Sequence, residues 1–208
     1  MENYKKNLKL LTKNHVYSKE MEHDACGVGL IASTEGKKSR AIVEYGIEAL
    51  KAVWHRGAVD ADGKTGDGAG IHVEIPKDFF IEKIQVTGHD YDNSEICVGM
   101  IFLPRNDYSA QESCKTIVES ELTKNNFSIY GWRQVPVNSK VLGEKALQTM
   151  PEIIQVLFKP NDPNLLDKNL ERKIYEIRKR IENKAFDASL NNFYICLLYT
   201  SDAADDTD

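Results

Sequence analysis

Apolar positions along this chain change spacing several times, and each change predicts an element. Residues 27–33 are small and apolar without clean alternation, the pattern of a strand buried on both faces. Ser39 then stands where an N-cap belongs, ahead of Ile42, Val43, Ile47, Leu50, Val53 and Trp54 at helical spacing, with Gly57 beyond the end. Residues 70–76 alternate and stop at Pro76, which predicts a half-buried strand. Residues 96–103 read as a further strand before Pro104, followed by a helix carrying Ala110, Cys114, Ile117, Val118 and Leu122. Residues 127–137 and 153–158 predict two more strands around a short helix near 142–150. Leu170, Ile174, Ile177 and Ile181 mark one stripe of a long charged helix. Strands arrive singly or as neighbours, so the strict alternation of a parallel β-α-β sheet is excluded and a mixed helix-and-sheet domain remains.

Composition narrows the class without naming a chemistry. The chain has 208 residues, 41% hydrophobic and 28% charged, with net charge −5, which suits one globular domain or part of a larger protein. No apolar run reaches the length of a membrane span, and the leader lacks the apolar core of a secretory signal. Lys5, Lys6, Lys9, Lys13 and Lys19 make that leader basic, but it has no Arg and the whole chain is acidic, so neither nucleic acid nor membrane is an expected partner. Asp202, Asp205, Asp206 and Asp208 crowd the other end. Cys26, Cys97, Cys114 and Cys196 are widely spaced, which suggests reduced thiols rather than a disulfide framework or zinc site, and a cytoplasmic setting. Cys97 and Cys114 fall inside apolar periods and are expected in the core.

Cys26 is different, because it sits between a polar leader and the first apolar segment. Exposed as a new N-terminus, a cysteine carries a nucleophile and a base together. Its α-amine titrates at about 7.7–8.0, against about 10.4 for a lysine, and can accept the thiol proton near neutral pH. A small buried cysteine capping a strand is the alternative. The glycine-rich stretches do not rescue a nucleotide site. Gly66-Asp67-Gly68-Ala69-Gly70 has the wrong spacing for a dinucleotide fingerprint and precedes a predicted strand. Gly57 to Gly63-Lys64-Thr65 has one residue too many for a phosphate loop, and Lys64 takes the third ligand position of a would-be calcium loop. Close backbone approach and positive φ remain as the uses of these glycines.

Three stretches in order carry a resemblance: Glu22-His23-Asp24-Ala25-Cys26-Gly27-Val28-Gly29, then His55-Arg56-Gly57-Ala58, then Thr65-Gly66-Asp67-Gly68-Ala69-Gly70-Ile71. Residues 98–104, 131–136, 172–180 and 192–196 agree with it. The chain resembles the start of glutamate synthase large chains, a class II glutamine amidotransferase domain. The resemblance implies an α+β N-terminal-nucleophile hydrolase fold: a four-layer αββα sandwich of two antiparallel sheets. It implies a propeptide at 1–25, with Cys26 as catalytic nucleophile after cleavage. Gly27, His55, Arg56, Gly57, Asp67 and Gly68 would shape the glutamine pocket, though Arg56 equally suits a structural role, ordering backbone or pairing with Asp67. His55 as base of a Cys/His pair is disfavoured, since the α-amine makes a second base unnecessary.

No cofactor or metal is implied for this domain. FMN and an iron–sulfur cluster are expected in the full-length parent, with L-glutamine as substrate, a downstream synthase domain, and an NADPH-dependent small subunit or ferredoxin as partners. Placement is cytoplasmic, or plastid in a photosynthetic eukaryote. Residues 197–208 depart from the resemblance and look like a translated adapter on a truncated frame. The family's oxyanion-hole pair and substrate anchors would then lie beyond Cys196, and the fragment would be inactive and marginally stable. Other class II amidotransferases, of asparagine or aminosugar synthase type, commonly follow Arg-Gly with Asp-Ser, where this chain has Ala58-Val59. A non-catalytic regulatory domain is the remaining alternative.

Overall fold

The computed structural model describes residues 27–54, 57–66 and 68–198, together with Lys6, with only the backbone of Leu197 and Leu198. Its centre is one four-stranded sheet, β1 (Cys97–Leu103), β2 (Phe127–Gln134), β3 (Glu152–Pro160) and β4 (Tyr194–Leu198), in the order β2-β3-β1-β4. Every neighbouring pair is antiparallel. The α+β class expected from the sequence is what the chain adopts.

Five α-helices are described: α1 (Arg40–Ala52), α2 (Lys77–Val86), α3 (Tyr108–Lys124), α4 (Glu144–Thr149) and α5 (Asp167–Asp187). The chain connects β1 to β2 through α3 and β3 to β4 through α5, so two split β-α-β units interlock in one sheet. Ser39 caps α1 as predicted, its hydroxyl accepting from the Ala41 amide at 3.2 Å. Asp107 does the same for α3 through Ala110 at 2.9 Å, and Asn126 beyond that helix adopts φ 66°, where the chain turns into β2.

Alternation in the strands divides the sheet into two faces. Cys97, Ile101, Leu103, Ile154, Val156, Phe158 and Ile195 point toward α3 and α5, which answer with Cys114, Val118, Leu122 and the predicted stripe Leu170, Ile174, Ile177 and Ile181. All are buried, and this is the larger core. On the same side the Glu121 carboxylate, itself buried, accepts a hydrogen bond from Lys184 and ties α3 to α5. Among the described residues the opposite face is covered at one end, where Phe80 and Ile84 of α2 join Ile75, Ile96, Val98, Tyr130 and Leu157. Toward the other end Met100, Phe102, Ile153 and Cys196 are half-buried and Tyr194 is exposed.

A bulge in β2 serves both faces. The register moves from Ile129 opposite Phe158 to Gly131 opposite Leu157, leaving Tyr130 as the extra residue. Ile129 and Trp132 thereby both pack on the helix side, while Tyr130 turns to the α2 side and donates its hydroxyl to Asp92 at 2.9 Å. Gly131 makes this possible with φ 148°, and a Cβ there would fall 2.8 Å from the Thr87 methyl.

Two strand expectations are corrected. Residues 27–33 and 70–76 form no ladder, and 27–31 are exposed rather than buried on both faces. Strand form needs a ladder neighbour as well as an apolar pattern, and among the described residues these segments join no ladder. Helix α2 and strand β4 go beyond what the apolar spacing predicts. Pro76 reads as the end of a strand, yet it is the N-cap of α2, and Phe80, Ile81 and Ile84 behind it carry the helical spacing that betrays it.

Candidate active site

Helix α1 delivers the chain to the second motif. It ends at Ala52, and the Gly57 amide returns to the Trp54 carbonyl at 3.0 Å. Residues 58–66 then fold back as a short hairpin. Val59 and Gly66 form an antiparallel bridge, and the Asp60 amide donates to the Thr65 carbonyl at 2.7 Å. A Cβ on Gly66 would sit 2.9 Å from the Ala58 carbonyl oxygen, so the close approach expected of these glycines is real here. It is absent at Gly27, Gly68 and Gly70, where a Cβ would meet nothing within 4 Å among the described residues. Their glycine identity is not explained by backbone packing.

Beyond Gly68 the chain runs extended beside α1. The Ile71 side chain lies over Gly46, and Lys38 pairs with Glu74 at 2.5 Å. His72 is exposed. The hairpin stem therefore holds Gly57 and Gly68 on neighbouring arms, one arm leading back to α1 and the other running along it. Gly27 stands exposed, without close neighbours among the described residues. Cys26, His55, Arg56 and Asp67, the chemically active members of the predicted site, lie outside the described residues.

The hairpin tip is the best-bonded part of this region. Asp62 Oδ1 accepts from the Lys64 and Thr65 amides at 2.9 and 2.7 Å, and Oδ2 accepts from the Thr65 hydroxyl at 2.5 Å. These bonds, the Thr65 hydroxyl foremost, hold the Asp62 carboxyl well below the usual carboxylate range. The Glu144 amide at the start of α4 adds a smaller push in the same direction. Asp60 Oδ2 pairs with Lys145 Nζ at 2.5 Å. Motif spacing gives Asp60 and Asp62 no role once a calcium loop is excluded. The signal for them is the Asp-x-x-Thr spacing of a self-bonded turn.

The other thiols are poor nucleophiles. Burial pushes the Cys97 thiol far above its ordinary value, and burial, with the Asp107 charge, raises Cys114 to about 11. Both belong to the core, as the apolar periods predict. Cys97 and Cys114 face the helices while Cys196, paired beside Met100, is on the other side of the sheet. They cannot converge on an iron–sulfur cluster, and no group of three or more His, Cys, Asp or Glu among the described residues could hold a metal ion. No described helix is long and apolar enough to cross a membrane.

Comparison with known proteins identifies the family. The "Glutamate synthase [NADPH] large chain" of Azospirillum brasilense is 52% identical over 195 residues, covering 94% of this chain and 13% of that protein. The "Ferredoxin-dependent glutamate synthase" of Pyropia yezoensis is 38% identical over 195 residues, 91% of this chain and 12% of its own length. The "Glutamate synthase [NADH]" of Saccharomyces cerevisiae is 36% identical over 196 residues, 86% and 9% respectively. The chain thus spans 13% or less of these curated relatives. A family model, "Glutamine amidotransferases class-II", matches residues 26–203, opening on the residue singled out as nucleophile. The chain belongs to the class-II glutamine amidotransferase family.

Proposed function

We propose that this domain hydrolyses the side-chain amide of L-glutamine with Cys26 as nucleophile, as the glutaminase part of a glutamate synthase. The observation that carries the reading is that the family match begins at Cys26. Cleavage after Ala25 frees the α-amine, which takes the thiol proton. The thiolate attacks the amide carbon to give a tetrahedral intermediate. Its collapse expels ammonia, protonated on departure by the ammonium so formed, and leaves a thioester at Cys26. Water, deprotonated by the same amine, releases glutamate and the thiol. Gly27, His55, Arg56, Gly57, Asp67 and Gly68 shape the pocket, with Gly57 and Gly68 on either side of the 58–66 hairpin.

In this reading 1–25 is a propeptide, 26–196 the amidotransferase unit and 197–208 a non-native tail. The half-covered sheet face, with Met100, Phe102, Ile153, Tyr194 and Cys196, supports a second antiparallel sheet stacked on it in a four-layer αββα sandwich. The exposed apolar segments 27–31 and 71–73 would supply two of its strands. The ammonia passes to a downstream domain that aminates 2-oxoglutarate, where FMN, an iron–sulfur cluster and electrons from an NADPH-dependent subunit or ferredoxin do the reduction. The whole works in the cytoplasm, or a plastid. The test is intact mass with glutaminase assay of the complete polypeptide. Active protein beginning at Cys26 is expected, and full activity with residues 1–25 retained would remove the α-amine from the mechanism.

A further inference from the structure

The β2–β3 connection, a plain link between strands by its sequence pattern, grips the 58–66 hairpin. Gly143 is the N-cap of α4 and supplies no side chain for that role. Asp62 lies against it from far away in the chain while it closes its own turn through Lys64 and Thr65. The approach is so close that a Cβ on Gly143 would lie 2.6 Å from the Thr65 amide nitrogen and nearer still to the Thr65 hydroxyl and the Asp62 carboxylate. Alongside, Lys145 reaches Asp60 across 85 positions. That last pair is largely exposed and contributes little by itself. The specificity of the contact therefore rests on Asp62, Thr65 and the missing side chain at Gly143.

This joint is a second link between two parts that also meet at Ile75. The 139–149 segment hangs between β2 and β3 of the well-packed sheet, whereas the hairpin arms run directly into His55-Arg56-Gly57 and Asp67-Gly68. We propose that Asp62, Thr65 and Gly143 form a clasp that sets the position of the glutamine pocket relative to the sheet. All three are positioning residues, and the proposal rests on the glutaminase reading above. A displaced pocket weakens binding of glutamine before it touches the thiol chemistry, so the expected signature is a raised KM for glutamine with little change in kcat.

The experiment compares Gly143→Val, Asp62→Ala, Thr65→Val and Thr65→Ser in the complete polypeptide matured at Cys26. Gly143→Val and Asp62→Ala should raise KM for glutamine by roughly 10-fold or more, with kcat within about 2-fold. Thr65→Val should follow them, and Thr65→Ser, which keeps the hydroxyl, should restore the wild-type value. Hydrogen exchange is read on the same proteins. The Lys64 and Thr65 amides should be protected in the wild type and lose protection in both Asp62→Ala and Gly143→Val. Unchanged KM in Gly143→Val, or Lys64 and Thr65 exchange that Gly143→Val leaves unaltered, overturns the clasp. A wild type without glutaminase activity overturns the pocket reading instead, and the exchange data still decide whether the hairpin is held.

Discussion

The stretch from Cys97 to Leu198 and the stretch from Gly27 to Pro76 are both apolar enough to form a core, yet among the described residues of the second only Ile75 is buried. In the former, Ile101, Phe158, Ile177 and Ile195 are completely buried between sheet and helices. In the latter, Val28 and Leu30 are 94% and 91% exposed, Trp54 is 74% exposed, and no residue of α1 is buried. Hydrophobicity is comparable; the difference lies in partners. Each strand of the sheet finds a ladder neighbour and each long helix finds a sheet face, so the entropy of ordering them is offset by burial. The 27–76 stretch is tied down at points instead, by Ile71 on Gly46, by Lys38 with Glu74 and by the hairpin clasp. The proposed site residues fall in the 26–68 part of the chain, away from the packed sheet sequence.

The sharpest division between the two regions should appear in activity. Cys26→Ala in the complete polypeptide is expected to lower glutamine-dependent glutamate formation by about 10⁴-fold or more while sparing ammonia-dependent turnover. Steady-state assays with each nitrogen source check this, and equal loss of both would make Cys26 structural. Thiol reactivity should divide the same way. With the Cys114 thiol raised to about 11 and Cys97 higher still, iodoacetamide at pH 8 should spare both in the native protein and modify them after unfolding. Peptide mass mapping reads this out, and rapid native alkylation of Cys97 would mean that the core opens.

Stability should follow the packing. Phe158→Ala is expected to cost about 3–5 kcal/mol, and Ile177→Ala about 2–5 kcal/mol, because each leaves a cavity between sheet and helices. Denaturant melts measure both. Leu30→Ser in the same 208-residue chain should shift stability by less than about 0.5 kcal/mol. In the complete polypeptide the same substitution should cost several-fold more if 27–33 joins a second sheet. Equal, small effects in both proteins would leave the four-layer sandwich without support.

The smallest expected effect concerns the edge of the packed region. The Lys159 ammonium foremost, helped by the Ser94 side chain, holds the Asp92 carboxyl below the usual carboxylate range. A depressed carboxyl contributes stability that is present above its unfolded value, about 3.9, and is lost as pH falls through the lower folded value. Acid melts should therefore show a modest loss below about pH 4 that Asp92→Asn removes. An identical acid limb in wild type and variant would show that Asp92 contributes nothing there.

Elements whose stability comes from their own spacing are legible in the amino-acid order itself. The stripe Leu170-Ile174-Ile177-Ile181, the cap at Ser39 and the strands at β1 and β3 follow from periods of 3.6 and 2 together with local hydrogen bonding. The order of motifs around Cys26, Arg56 and Asp67 likewise points to the family, because the nucleophile and its flanking glycine turns are written locally. Other features depend on distant residues. Residues 27–33 and 70–76 have strand composition without a ladder partner, and a strand cannot be decided from one side. The bulge that turns Tyr130 away from Ile129 depends on β3 and Thr87, and the seating of Asp62 and Thr65 against Gly143 joins residues with no local relation. Sequence alone therefore determined the periodic elements and the candidate nucleophile. Only the tertiary structure decided which apolar segments were covered and how the pocket's hairpin was held, because burial and close approach depend on what the rest of the chain brings alongside.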